Sequence, residues 1–433
     1  MQDDVLTKTD SPLLGEIEVP GDKSISHRAV ILGSLAKGQT RVTHFLDGED
    51  CMRTVDAFKK MGVNIQADES ELLIEGRGID ALKEPLEPLN FGNSGTTTRL
   101  MLGLLAGLPF FTTIYGDASL SKRPMDRVIK PLQGMGASFT GRKQGNLLPV
   151  AIEGKKLKGI TYKLPVKSAQ VKSAILLAGL TAKGETTIIE PAQTRDHTER
   201  MLKAFGATVK TEGNRITVMN EHELRAVDVH VPGDISSAAF FIVAAAIVPG
   251  SDLILKNVGL NESRNGIIEV MKQMGASLDI TNKHTASGEP VGDIRVQYKE
   301  LKGTILRGDL IPRLIDEIPI LALLATQAEG TTIIQDAEEL KVKETDRIAA
   351  VVDVLTTLGA NIEATEDGMK IYGKTTLTGG RVKAYHDHRI AMMNVVASLV
   401  STGDVMIDDT SSIAISYPGF FNDMKSVLQQ SEG

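Results

Sequence analysis

Val19-Pro-Gly-Asp-Lys-Ser-Ile-Ser-His-Arg28 returns in part as Val231-Pro-Gly-Asp234, and that repetition sets the reading of the whole chain. Pro20, Gly21 and Asp22 spell a turn, Ser24 stands as an N-cap, and Ile25, Ala29, Leu32 and Ala36 follow helical spacing. A helix is predicted to start here. Its first N–H groups and positive dipole end favour acidic neighbours, yet Lys23 and Arg28 occupy the place. An anion held by the backbone N–H groups, the Ser24 and Ser26 hydroxyls and the two cations resolves the conflict. Taken alone, the stretch reads equally well as a solvated basic turn.

Both copies open an apolar helix, followed by a strand and an amphipathic helix ending in Met-Gly, and the same order can be followed through six copies. The second opens at Gly92-Asn-Ser-Gly-Thr-Thr-Thr-Arg99, the third at Ser168-Ala-Gln-Val-Lys172, the fourth at Asp234, the fifth near Asp316-Glu-Ile-Pro319 and the sixth at His386-Asp-His-Arg389. A spacing of roughly 70 to 80 residues is too long for the common solenoids. The units read as βαβ-containing subdomains, each with one nearly all-apolar helix, such as 238–248, and one amphipathic helix, such as 264–274. An α/β protein follows, with two similar domains of three repeats, buried helices inside and sheets outside. The expected division is 20–231 against 1–19 with 232–433, crossing at the Val231-Pro-Gly233 turn; Gly15–Val19 alone does not declare its side.

The 433 residues are too many for one ordinary core. At 42% apolar and 24% charged, with no long uncharged apolar run, the composition is that of a soluble globular protein. The first residues lack the basic and apolar regions of a signal peptide, so a cytoplasmic location is expected. The single cysteine, Cys51, excludes an internal disulfide and a cysteine-cluster metal site. A net charge of −7 argues against a general nucleic-acid or anionic-membrane binder. Cations that bind an anion must therefore be concentrated locally.

They are concentrated at the helix starts. The first copy offers Lys23, Ser24 and Arg28; the second offers Asn93, Ser94, Gly95, Thr96 and Arg99, with Ser121-Lys-Arg-Pro-Met125 before its second helix. Gly92-Asn-Ser-Gly95 allows close backbone approach, but lacks the Gly-Lys-Ser/Thr ending of a nucleotide loop. The third copy contributes Ser168, Gln170 and Lys172, then Thr194-Arg-Asp-His-Thr-Glu199. His197, Glu199 and Asp196 match no metal-ligand spacing, and a capped helix start explains them more cheaply. In the fifth copy Asp316 and Glu317 open an apolar stretch, and Lys341-Val-Lys-Glu-Thr-Asp-Arg347 reads either as a solvated charged turn or as an acid held among cations. The fourth copy has no basic residue at its helix start and is left out of the site.

Taken together, Gly21-Asp-Lys-Ser-Ile-Ser-His-Arg28, Gly92–Arg99, Lys122-Arg-Pro-Met125, Ser168-Ala-Gln170, Arg195–Glu199, Lys343-Glu-Thr-Asp-Arg347 and Asp387-His-Arg389 closely resemble the 5-enolpyruvylshikimate-3-phosphate synthase family, in family order and across almost the entire chain. The resemblance implies the enolpyruvyl transferase fold, two domains of three βαβαββ units that close around their substrates. It implies transfer of the enolpyruvyl group of phosphoenolpyruvate to the 5-hydroxyl of shikimate 3-phosphate with release of phosphate, no cofactor or metal, and a monomer. By similarity, Lys23, Ser24, Arg28, Ser168, Ala169, Gln170, Arg195, Asp316 and Lys343 hold shikimate 3-phosphate. Lys23, Asn93, Gly95, Thr96, Arg123, Gln170, Glu344, Arg347 and Arg389 surround phosphoenolpyruvate. Asp316 is the expected base and Glu344 the expected proton donor, with Lys23 as its rival or partner.

The match departs from many relatives at Ile415, where they carry Lys before the Phe/Tyr-Pro pair, here Tyr417-Pro418. The Ser168–Gln170 and Arg195–Glu199 forms resemble the branch with glyphosate-tolerant members, whereas Gly95 is compatible with inhibitor binding. Three alternatives stand beside this reading. A UDP-amino-sugar enolpyruvyl transferase typically has a cysteine in the loop corresponding to 116–125, which this chain lacks. A nucleotide-dependent phosphate enzyme is disfavoured by the missing P-loop lysine, and a non-enzymatic scaffold by the clustered cations.

Overall fold

Every residue of the helix Ile235–Ile247 is buried. A helix apolar on all sides has no face to give to water, so other elements must surround it. The computed structural model, which describes residues 4–7, 11–68 and 70–428, repeats this solution. Lys23–Leu35, Gly95–Leu105 and Ala169–Gly179 are the corresponding largely buried helices of the first three copies. Ile318–Thr326 and His388–Ser398 serve the fifth and sixth.

The third copy shows how one unit is wired. Thr161–Lys163 runs parallel to Thr186–Ile189, and the helix Ala169–Gly179 makes the crossover that a parallel pair requires. After the half-buried helix His197–Ala204, Thr208–Glu212 and Arg215–Met219 form a hairpin whose second strand pairs antiparallel with Thr186–Ile189. The order is βαβαββ. The amphipathic helices of the first five copies end alike: Gly62 N–H bonds the carbonyl of Lys59 and Val63 N–H that of Phe58, both at 3.0 Å. Gly136, Gly206, Gly275 and Gly359, each with its following residue, repeat the pair. This Schellman ending needs a left-handed residue, which explains the recurring Met-Gly; Gly62 has φ +87°.

The chain divides into two compact units, Gly21–Val231 with Ala286–Glu289, and Met1–Pro20 with Pro232–Thr285 and Pro290–Gly433. Each has three sheets and its own apolar core. The leading strands are exchanged along the sequence. Val229–His230 pairs parallel with Lys37–Thr43 of the first copy, while Leu14–Glu18 pairs parallel with Asp252–Gly259 of the fourth. In the sixth copy the sheet is a three-stranded exception, with Asp4–Leu6 antiparallel to Val405–Ile407 in place of a hairpin.

Three local expectations are corrected. The first helix begins at Lys23, and its cap is the Asp22 carboxylate, which accepts the Ile25 N–H at 2.8 Å; Ser24 lies inside the first turn. The helix His197–Ala204 has no side-chain cap: the carboxylate of its N-cap residue Asp196 accepts from Arg200 Nε at 2.8 Å, and the Thr194 hydroxyl is turned to Glu190. The fourth helix start does have a cation: Arg264, distant in sequence, donates to Asp234 at 3.0 Å and to Ser236 at 2.6 Å. No described helix is long and apolar enough to cross a membrane.

In the N-terminal unit, Gly103 lets the second central helix meet the third. A Cβ built on it lies 2.0 Å from the carbonyl oxygen of Ala174, a backbone atom that cannot rotate away. Gly103→Ala should therefore cost roughly 1–3 kcal/mol and lower the thermal midpoint. Exposed Gly134 ends a helix with nothing within 4 Å of its notional Cβ, so Gly134→Ala should raise the midpoint through about 0.5–1 kcal/mol of helix propensity. Equal midpoints in thermal unfolding would contradict both assignments.

Candidate active site

The residues singled out in the N-terminal unit lie at the starts of its three central helices. Lys23 opens the first, and its ammonium pairs with Asp50. Arg28 is buried and donates three ways: Nε to Thr198 Oγ1 at 2.6 Å, Nη1 to the Ser24 carbonyl at 2.8 Å, and Nη2 to Ser173 Oγ at 2.7 Å. These bonds tie the first helix to the third and to the helix His197–Ala204. Ser168 caps the third helix by accepting the Val171 N–H, Ala169 is its first residue, and half-buried Arg195 lies in the loop before His197.

The second helix starts at Gly95, capped by Ser94. Arg123 Nη2 donates to the side-chain oxygen of Asn93 at 2.6 Å, while the Asn93 amide donates to Asp117 at 2.6 Å. Arg99 donates to Gln170 Oε1 at 2.6 Å, and the Gln170 amide donates to Thr96 at 3.0 Å, which joins the second and third helix starts. A Cβ on Gly95 would lie 2.9 Å from Arg99 Nη1 and 3.3 Å from Arg123 Nη1. Glycine here therefore keeps two guanidinium groups close to the helix end.

A buried hydroxyl chain braces this region. His27 Nδ1 lies 2.8 Å from Thr54 Oγ1, which lies 2.8 Å from Thr97 Oγ1; Thr97 in turn donates to the Asp50 carbonyl at 3.3 Å. Burial, then the charges of Lys23 and Arg28, hold the His27 pKa well below its ordinary value. A neutral His27 carrying its proton on Nδ1 gives the chain one direction, ending on the residue whose carboxylate pairs with Lys23. The sequence alone gives no signal for Asp50 and Thr54. An acid in the first turn of Glu49–Lys60 is ordinary helix chemistry and carried no signal.

In the C-terminal unit, Asp316 is the centre. Its Oδ1 lies 3.3 Å from Lys343 Nζ and 3.4 Å from Arg347 Nη1, and its backbone carbonyl accepts from Arg389 Nη1 at 3.2 Å. Arg347 is 1% exposed and also bonds Asp387 at 2.8 and 3.1 Å and Glu344 at 2.7 Å. Burial alone would lower its pKa, but Asp387, Glu344 and Asp316 together raise it, so the guanidinium stays charged. Asp387 also caps the last central helix through the Arg389 N–H at 2.9 Å. The Arg389 charge, unfavourable to the helix dipole, faces the Asp316 carboxylate, with Nη2 4.0 Å from Oδ2. Glu344 and Lys343 keep about a quarter of their side-chain surface open, at 24% and 28%.

His197, weighed above as a metal ligand, and His386 at the sixth helix start each have an acidic neighbour. His197 Nδ1 lies 2.8 Å from Glu289, and Glu199 binds Lys172 at 2.7 Å. His386 is exposed, 3.5 Å from Asp409. Among the described residues no cluster of three or more potential metal ligands occurs.

Residues 7–424 match the family model described as EPSP synthase (3-phosphoshikimate 1-carboxyvinyltransferase). A 3-phosphoshikimate 1-carboxyvinyltransferase of Oceanobacillus iheyensis is 62% identical over 417 residues, covering 96% of this chain and 97% of that one. An EPSP synthase structure from Acinetobacter baumannii is 46% identical with a TM-score of 0.89, covering 99% of this chain and 98% of the other. The enolpyruvyl transferase NikO from Streptomyces tendae shares the fold, with a TM-score of 0.80 at 17% identity over 98% of this chain and 97% of its own. The chain belongs to the EPSP synthase (3-phosphoshikimate 1-carboxyvinyltransferase) family.

Proposed function

We propose that this chain transfers the enolpyruvyl group of phosphoenolpyruvate to the 5-hydroxyl of shikimate 3-phosphate, and that both residue clusters serve these two substrates. The observation that carries the reading is the concentration of cations at helix starts in a chain of net charge −7. Two polyanionic substrates supply the negative charge those starts lack. Lys23, Ser24, Arg28, Ser168, Ala169, Gln170, Arg195, Asp316 and Lys343 are assigned to shikimate 3-phosphate. Lys23, Asn93, Gly95, Thr96, Arg123, Gln170, Glu344, Arg347 and Arg389 are assigned to phosphoenolpyruvate. The expected cytoplasmic location and monomeric state belong to the same proposal.

In the first step Asp316 takes the 5-hydroxyl proton, the oxygen attacks C2 of phosphoenolpyruvate, and an acid delivers a proton to its C3 methylene. In the second, the conjugate base left by that acid takes a C3 proton, the C2–C3 double bond re-forms as the C2–O bond to phosphate breaks, and the product is an enol ether. Glu344 is assigned as the donor because its carboxyl is partly open and oriented by Arg347. Lys23, held by Asp50, is the second candidate. The remaining cations stabilise charge on phosphate and carboxylate groups as it shifts between the steps.

Phosphate release from phosphoenolpyruvate should require shikimate 3-phosphate and not occur with a UDP-amino sugar. Release with the sugar alone would move the chain to the other enolpyruvyl transfer. Asp316→Asn should retain shikimate 3-phosphate binding in calorimetry while kcat falls roughly 100- to 10,000-fold, and an unchanged kcat would remove Asp316 as the base. Arg195→Ala should weaken shikimate 3-phosphate binding by about 2–3 kcal/mol, as expected for a lost charge-assisted contact, so an unchanged Kd would contradict that role.

A further inference from the structure

Lys172 belongs to the third central helix, just before its apolar run 174–179, and its side chain is only 1% exposed. It is among the largest fully buried side chains of the protein. A buried ammonium is costly unless it is matched by charge and hydrogen bonds. Here Nζ lies 2.7 Å from Glu199 Oε1 and 3.1 Å from Glu190 Oε2, and donates to the Thr194 carbonyl at 3.4 Å. Both carboxylates are nearly as buried, at 5% and 3% side-chain exposure. The Thr194 hydroxyl donates to Glu190. The ammonium thus binds both ends of the segment Glu190–Glu199, and Arg195 follows directly the residue whose carbonyl it holds.

The same segment carries Thr198, which with Ser173, the neighbour of Lys172, receives Arg28. Arg28 and Arg195 are therefore attached to a frame whose only ammonium, among the described contacts of this cluster, is Lys172. We infer that Lys172 is a positioning residue for acceptor-substrate binding: through Glu190, Thr194 and Glu199 it fixes the loop that presents Arg195 and the hydroxyls that orient Arg28. The inference rests on assigning Arg28 and Arg195 to shikimate 3-phosphate. Burial pushes the Glu190 carboxyl up, against the pull of Lys172 and Thr194. Without the ammonium, two buried carboxylates face each other and repel, or one takes a proton, and the loop must rearrange in either case.

Its role separates from that of a plain core residue because it acts on one substrate. Lys172→Met, which keeps the length and removes the charge, should raise the KM and calorimetric Kd for shikimate 3-phosphate roughly tenfold or more, while the KM for phosphoenolpyruvate shifts less than about threefold. Lys172→Arg, which restores the charge, should recover most of the affinity. A Kd within about twofold of wild type or an equal rise in both KM values would overturn the inference. Should Lys172→Met not fold, Glu199→Gln decides. A shikimate 3-phosphate KM raised about threefold or more with that for phosphoenolpyruvate unchanged supports the role, and an unchanged value overturns it. Wild type that neither binds shikimate 3-phosphate nor releases phosphate would overturn the functional reading and this inference with it. Active wild type beside an unaffected variant overturns this inference alone.

Discussion

The protein depends on burying helices that are apolar on every side. Such a helix makes its contacts with side chains, but its first turn still carries backbone N–H groups with no partner inside the helix, and burial removes water as a substitute. Side chains must meet the demand. Asp22, Ser94, Ser168, Asp234 and Asp387 do so at five of the six central helices, each accepting a backbone N–H. Each cap satisfies only part of the first turn. What remains is a set of fixed donors and a positive end of a dipole, which suits an anionic ligand. The same burial that makes the core therefore makes the binding chemistry.

Cations at such an end work against the dipole unless acids stand close by, and the two units supply these acids differently. Around Asp316 the balance is internal: Arg347 is shared among Asp316, Glu344 and Asp387, and the Arg389 guanidinium is held at Asp316. At the fourth helix Asp234, Ser236 and Arg264 form a closed set of the same kind. The first helix has Asp50 against Lys23, but beside the second helix Arg99 and Arg123 donate to the neutral side chains of Gln170 and Asn93. These contacts fix the orientation of both guanidinium groups at the second helix start.

The parts readable from sequence were those set by local period and local chemistry. Six apolar helices, their amphipathic companions and the closing Met-Gly follow from 3.6-residue spacing and from the left-handed turn that only glycine adopts easily. The exchange of leading strands was not readable. Leu14–Glu18 and Val229–His230 are short, and their sheet partners are chosen by which edge is open once both cores have assembled. Ser24 was taken for the cap because hydroxyls are good caps, but Asp22 offers a charged acceptor two residues earlier and moves the helix start with it. The fourth helix looked free of basic groups because Arg264 reaches it from 30 residues beyond Asp234. The basic residues of the candidate site stand out in the sequence because they break the helix-start rule; their neighbours Asp50, Thr54 and Glu190 do not, since nothing about them is unusual until the fold brings them together.

Lys172 lies between these cases. Its position next to Ser168 and Gln170 groups it with the helix-start cations, yet the apolar run Ile175–Ala178 that follows shows it entering a helix with no wet face. A lysine on such a helix has two outcomes: its ammonium extends beyond the helix end into solvent or a ligand, or it meets acids inside. The geometry chooses the second, and Glu190 and Glu199 lie 18 and 27 residues further along the chain. A charge that is fully matched in the interior contributes little as a direct ligand, but it is well suited to holding apart or together the segments that carry ligands. At this helix the role of Lys172 follows from burial together with its partners: sealed and matched by two carboxylates, it sets where the segment carrying Thr198 and Arg195 stands.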